Sequence, residues 1–314
     1  MQAKRLTPRL FVTFVVALSM LAVALSGCGK KGGSGGRPAM YTDDLGRKVT
    51  IKEVPERIVS AAPANTEILF ALGLGDKVVG VTDYCDYPPA AKKKPKIGEF
   101  SKLNVEAIVA AKPDLVLATG GVQEEALDRL DELGVPVYAV DARTFEGTVS
   151  NIDKIGTITG AEDKADDIAS DMEKRADRVR DAAGRARSEG EVKPRVFYEI
   201  FYEETGVWTA GRDSVISDLI RLAGGSNVGD LEKSDYYQFN LESLFRENPD
   251  VYMVGSGSMS NPGDVGGRPG WDNLKAVKDG RVYVIDEDLI YRTGPRLIDG
   301  LEKVFDDLYP GFKY

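Results

Sequence analysis

Short runs rich in β-branched residues alternate with helix-patterned stretches along this chain of 314 residues, and one segment breaks that rhythm. Between residues 161 and 188, Ala165, Ile168, Ala169, Met172, Ala176, Val179, Ala183 and Ala186 step by three and four through otherwise charged sequence. The spacing predicts one amphipathic helix of roughly 28 residues, about 40 Å long at a rise of ~1.5 Å per residue. Its stripe is too rich in alanine and too short for a coiled-coil seam, so it must lie against the blocks that flank it. Before it come the strand-like runs "RIVSAA", "VVGV", "DLVLA" and "VPVYAV", with the helical patterns "NTEILFALG" and "NVEAIVAAK" between them, each opening on Asn. After it come "RVFYEI", the helical "DSVISDLIRLAG", "DVYMVG", "RVYVID" and a closing helix "PRLIDGLEKVFDDLY". Strand alternating with helix implies mostly parallel sheets covered on both faces. The expected architecture is therefore α/β: two Rossmann-like α/β lobes, residues 41–160 and 191–314, joined by a single long α-helix over residues 161–190.

The start of the chain stands apart from this body. Lys4, Arg5 and Arg9 precede an apolar run over residues 10–25 broken only by Thr13 and Ser19, the pattern of a secretion signal. That run falls short of the ~20 residues a membrane span needs. It ends in "LSGC", which resembles a bacterial lipobox, so residues 1–27 are expected to be a lipoprotein signal peptide and Cys28 the lipidated residue. Acyl chains at about 0.8 kcal/mol per buried methylene would hold the body at the membrane. The Gly/Ser-rich stretch that follows makes residues 28–40 a flexible tether. Removing residues 1–27 takes away three basic residues and no acid, which moves the net charge from −9 to −12. Such acidity argues against nucleic acid as a partner and against a broad basic face for anionic lipid.

No histidine occurs anywhere in the chain. That excludes His-containing zinc, haem-iron and copper sites, along with Ser-His-Asp and Cys-His relays. No GxxxxGK[ST] phosphate loop is present either. Cys85 has no cysteine to pair with once Cys28 is lipidated, and it is assigned a packing role with no metal.

One phrase occurs twice. "LNVEAIVAAKPDLVLATGG", residues 103–121, returns as "FNLESLFRENPDVYMVGSG", residues 239–257. Asn104, Glu106, Pro113 and Asp114 match Asn240, Glu242, Pro249 and Asp250, each pair 136 positions apart. In each copy Asn is a candidate cap for a helix that ends before Pro-Asp and a strand. Each Glu falls in the first helical turn, where the macrodipole favours a carboxylate. A purely local role for the acids is one reading of this pattern.

The long N-terminal stretch containing "PANTE" (residues 63–67), "DYPP" (86–89) and "NVEAIVAAKPDLVLA" resembles the first lobe of the binding proteins that feed ABC importers for cobalamin, ferric siderophores and haem. "GGSNVGD", "VKDGRVYVID" and "GPRL" fit the second lobe, and the resemblance runs over roughly residues 41 to 310. It implies a rigid pair of lobes with the ligand cleft between them. It also implies a monomeric receptor that performs no chemistry, carries no cofactor and serves a permease dimer and its ATPase. Glu106 and Glu242 match the lobe-tip acids that meet permease arginines in that family. Tyr84, Phe100 and Tyr236 match aromatics of the cobalamin-binding branch, and Asp288 and Arg292 match a polar pair there. Tyr202 and Trp208 are weaker candidate neighbours. One departure is Thr119, which stands where that branch has tryptophan. Asp235, Glu203, Glu204 and Asp288 are expected near the cleft with Arg292 the clear positive charge, which disfavours a trianionic siderophore. A corrinoid, cobalamin foremost, is the expected ligand; a ferric siderophore, or haem held by tyrosine, is the alternative. Weaker rivals are a chelatase-like enzyme and a ligand sensor.

Overall fold

The computed structural model describes residues 39–257 and 262–314. The expected signal peptide, Cys28 and all but the last two residues of the tether lie outside the described residues. Within them, no helix is long and apolar enough to cross a membrane.

A hairpin of β1 (Ala39–Thr42) and β2 (Lys48–Ile51) leads into the first sheet. Its elements are β3 (Ile58–Ser60), α1 (Pro63–Ala71), β4 (Val78–Val81), α2 (Val105–Ala110), β5 (Leu115–Ala118), α3 (Glu124–Glu132) and β6 (Val137–Ala139). The strands lie in the order β4-β3-β5-β6 and are all parallel. Because side chains alternate, Ile58, Leu115, Leu117 and Tyr138 join a core on one face. Val59, Val116, Ala118 and Val137 pack on the other face with Ile108 of α2 and Leu127 and Leu130 of α3. Helix α1 begins at Pro63, with Ala62 as an N-cap that makes no side-chain hydrogen bond. Asn65, on which the helical pattern opens in the sequence, is instead inside the first turn and donates to the Ala118 carbonyl at 3.1 Å. Proline starts the helix earlier because its fixed φ and missing N–H suit the first helical position.

Helix α4 (Phe145–Thr159) ends at Gly160, whose φ of 71° allows the left-handed cap, and the chain turns into α5 (Glu162–Ser188). This is the expected long helix, and it contains 27 residues. Its stripe is buried from Ala165 to Ala186, although Ile168 is only half-buried. Small residues bring its neighbours close: a Cβ on Gly156 of α4 would stand 2.4 Å from that of Ala165, and one on Gly224 would stand 2.8 Å from that of Ala183. One apolar core therefore runs from the first sheet through α5 into the second lobe.

The second sheet contains β7 (Arg195–Glu203), β8 (Gly206–Ala210), α6 (Val215–Leu222), β9 (Ser226–Asn227), β10 (Tyr236–Phe239), α7 (Leu241–Glu247), β11 (Val251–Gly255), α8 (Lys275–Lys278), β12 (Val282–Ile285), α9 (Asp288–Tyr291) and α10 (Leu297–Leu308). Its order is β10-β8-β7-β11-β12, with β9 also on β7. Strands β7, β9, β11 and β12 pair in parallel, whereas β8 pairs antiparallel with both of its neighbours, β7 and β10. This sheet is thus more mixed than the sequence suggests. Only Glu204 and Thr205 separate β7 from β8, and so short a link permits only an antiparallel return. The side chain of Arg175 on α5 reaches Asp299 and Glu302 of α10, fastening the long helix to this lobe.

The repeated phrase builds the same joint in both lobes. Asn104 accepts a hydrogen bond from the Ala107 N–H at 2.9 Å, and Asn240 accepts one from the Ser243 N–H at 3.1 Å. Each helix ends in a positive-φ residue, Lys112 at 49° and Asn248 at 44°. Asp114 then accepts from the N–H of Arg57 at 2.9 Å, and Asp250 from that of Arg195 at 2.8 Å, locking the joint to the neighbouring strand. The arginine side chains donate back to the carbonyls of Ala111 and Lys112, and of Glu247.

Candidate functional site

A cavity of about 700 Å³ opens between the two sheets. On one side it is built where the chain leaves the carboxyl ends of parallel strands, at Ala62 after β3, Tyr84 after β4, Thr119 after β5 and Val140 after β6. Phe100 joins them from a loop pinned by Gln123, whose side chain donates to the Phe100 carbonyl at 2.9 Å and to that of Ala61 at 2.7 Å. The opposite wall comes from Phe201 on β7, Trp208 on β8, Tyr236 on β10 and the segment from Glu287 to Thr293.

All five residues singled out from the resemblance, Tyr84, Phe100, Tyr236, Asp288 and Arg292, line this one cavity. Tyr84 is 59% and Tyr236 41% exposed, so both stand open at the cleft instead of completing the core. Tyr236 belongs to edge strand β10 and not to a loop. Trp208 also lines the cavity, stacked on Phe201 with ring centres 5.5 Å apart. Tyr202 does not: one residue beyond Phe201 it faces the other side of the sheet, beneath the Arg268 guanidinium at 4.3 Å and edge-on to Trp271. Phe201, Tyr291 and Glu287 are lining residues that the sequence did not single out. The alternation of "YEIFYE" marked Phe201 as facing opposite to Tyr202, but not which of the two faced the cleft.

The polar end of the cavity is more elaborate than a surface pair. Arg292 binds Asp288 at 2.7 Å, Asp86 at 2.7 Å and Glu67 at 3.0 Å, and its side chain is only 13% exposed. Arg296 adds a forked contact to Glu67, at 2.6 and 2.8 Å, and lies 4.0 Å over the Tyr87 ring. Glu67 and Asp86 belong to the first lobe and both arginines to the second, so the cluster ties the lobes together beneath the cleft. Burial pushes the Asp86 carboxyl up, but the hydrogen bond and charge of Arg292 outweigh it and hold the group below its usual range. For Asp288 burial wins, and its carboxyl is raised despite Arg292. Burial, then Asp288 and Asp286, raise Glu287 as well.

Of the acids expected at the cleft, Asp288 is the one that lines it. Asp235 pairs across the lobes with Arg143 at 2.8 Å, and Glu203 accepts from Gln238 at the surface. Among the described lining residues Arg292 is the one cation, and three carboxylates already hold it. Cys85 is buried between Thr66 and Thr82, 3.1 Å from each hydroxyl. No group of His, Cys, Asp and Glu able to hold a metal ion occurs among the described residues. Glu106 and Glu242 are exposed on α2 and α7, and neither has a hydrogen-bond or ion-pair partner among the described residues.

An aromatic cleft between two α/β sheets, braced by ion pairs and a continuous helix, is the architecture of a two-lobed solute receptor. The chain belongs to the periplasmic binding protein family, whose sequence profile matches residues 58–289. It is 36% identical over 307 residues to an uncharacterized ABC transporter substrate-binding lipoprotein of Bacillus subtilis strain 168, covering 94% of this chain and 96% of that one. Among solved structures it resembles the periplasmic vitamin B12 binding protein of Vibrio cholerae, with 28% identity, a TM-score of 0.70 and coverage of 81% of this chain and 97% of the other. It is equally similar in shape to a possible iron-binding, periplasmic solute-binding protein of Staphylococcus epidermidis ATCC 12228. That match has 31% identity, a TM-score of 0.70 and coverage of 82% and 100%.

Proposed function

We propose that this chain is a monomeric receptor, anchored outside the cytoplasm through lipid on Cys28, that captures a corrinoid and delivers it to an ABC importer. Cobalamin is the foremost candidate. Residues 41–160 and 191–314 act as its lobes, and it performs no chemistry on the ligand.

The observation that carries the ligand choice is the pairing of aromatic walls with an arginine whose charge is already spent. Tyr84, Phe100, Trp208 and Tyr236 offer flat, weakly polar faces to a large ring system. A trianionic ferric siderophore, or a haem with its propionates, would instead meet Glu287 and Asp288 with no free cation among the described lining residues. The phenols of Tyr84 and Tyr236 favour the rival, since tyrosine is a ligand for ferric iron.

Glu106 and Glu242 are the docking acids in this reading. In the joint they share, Asn and Asp make the hydrogen bonds that hold it, while the glutamates make none among the described residues. A two-fold permease presents one basic socket twice, and two matched charges orient the encounter and speed it.

Calorimetry on the purified chain tests the ligand. Cobalamin is expected to bind with a submicromolar Kd or tighter, about 8 kcal/mol or more. Saturable binding of a ferric chelate with no heat from any corrinoid would overturn the assignment.

A further inference from the structure

The polar wall of the cleft discriminates more finely than by size. Glu287 immediately precedes the short helix α9, and Tyr291 lies four residues on, so both side chains share one face and both line the cavity. The Glu287 carboxylate accepts a hydrogen bond from the Gly257 N–H and packs so tightly there that a Cβ on Gly257 would stand 1.9 Å from Oε2. A carboxylate has about four acceptor sites, so capacity remains on the cavity side. Unlike Asp288, which is committed to Arg292 at 2.7 Å, Glu287 makes no ion pair among the described residues. Beside it the Tyr291 hydroxyl is buried next to that of Tyr198 and closed off from the cavity, so Tyr291 borders the carboxylate without offering its hydroxyl to a ligand.

A surplus acceptor on the cavity wall calls for a ligand group that donates. A carboxamide does so without carrying charge: its NH2 supplies donors to Glu287. A carboxylate has no proton to give and meets like charge, and burial together with Asp288 and Asp286 already raises the Glu287 carboxyl. We propose that Glu287 makes this cleft selective for corrinoids whose peripheral groups are carboxamides over those that carry carboxylates. This rests on the corrinoid reading above.

The test compares dicyanocobinamide, which is amidated, with dicyanocobyrinic acid, the same ring bearing carboxylates, and with the methyl ester of that acid, which is uncharged but lacks N–H donors. Titrating the purified chain with each gives the affinity ratios. The amide is expected to bind at least about tenfold tighter than the acid, with the ester between them, and Glu287→Gln is expected to shrink the amide-to-acid ratio about tenfold. An unchanged ratio in Glu287→Gln, with the amide still bound, would sink this inference and leave the corrinoid reading standing. Absence of binding by every corrinoid would remove both. If the variant does not fold, the parent protein decides: equal affinities for amide and acid would overturn the proposal.

Discussion

Replacing Glu67 with glutamine tests whether the ion cluster beneath the cleft holds the lobes together. The Glu67 side chain is 2% exposed and receives Arg296 through two contacts and Arg292 through one, all at 2.6 to 3.0 Å. Removing one partner from a buried pair costs roughly 3–5 kcal/mol, because a desolvated charge is left behind. Here the loss falls at the lower end. Arg292 keeps Asp86 and Asp288, and Arg296 keeps the Tyr87 ring and a long 3.9 Å contact to Asp288. About 3 kcal/mol corresponds to a fall in Tm of about 6–12 °C for a body of this size. The control is Glu56→Gln, which breaks a pair with Lys77 of ordinary 2.9 Å length whose carboxylate is 70% exposed. That change is expected to cost under about 1 kcal/mol. Calorimetric melting of the two variants beside the parent decides the matter. Equal shifts for Glu67→Gln and Glu56→Gln would show that burial and lobe bridging add nothing to the cluster.

Three further outcomes follow from the proposed role. Reversing Glu106 or Glu242 to Arg is expected to cut permease-coupled uptake sharply, and reversing both to abolish it, while stability changes by no more than about 1 kcal/mol; uptake at the parent rate in the double variant would assign the glutamates to helix-start charge alone. Cys28→Ser is expected to release the protein from the membrane fraction, and full retention after signal cleavage would refute lipid anchoring. Because α5 is uninterrupted and packed on both lobes, ligand is expected to change the radius of gyration very little; a contraction of several ångströms in solution scattering would mean that the helix breaks.

The α5 helix was legible because its apolar residues recur at one spacing over its whole length, and strands β5, β6 and β11 because each is buried on both faces and reads as an unbroken apolar run. Helix α4 carries the same spacing in Phe145, Val149, Ile152, Ile155 and Ile158, yet Gly147, Gly156 and Thr157 lower its propensity and mask it. The antiparallel arm was hidden because β8 and β10 are short, and β10 alternates exposure beside charged residues. At the cleft, the five singled-out residues came from family resemblance and not from periodicity. The bridging cluster was illegible because Glu67 and Arg292 are 225 positions apart, and local sequence does not announce that two lobes will bring them to 3.0 Å.

The placement of the cleft at strand ends has a consequence for how such a receptor can change over generations. Ala62, Tyr84, Thr119 and Val140 each follow the last residue of a parallel strand by one to three positions. The strands ending there are held by Ile58, Val59, Leu115 to Ala118 and Val137 to Ala139, all buried. Folding and ligand choice are thus written in adjacent but separate residues. Drift at Thr119 or Tyr84 alters what the mouth accepts without disturbing the layers beneath, so one scaffold can be retuned from one large ring or chelate to another by exchanging a few side chains that do not help to hold it together.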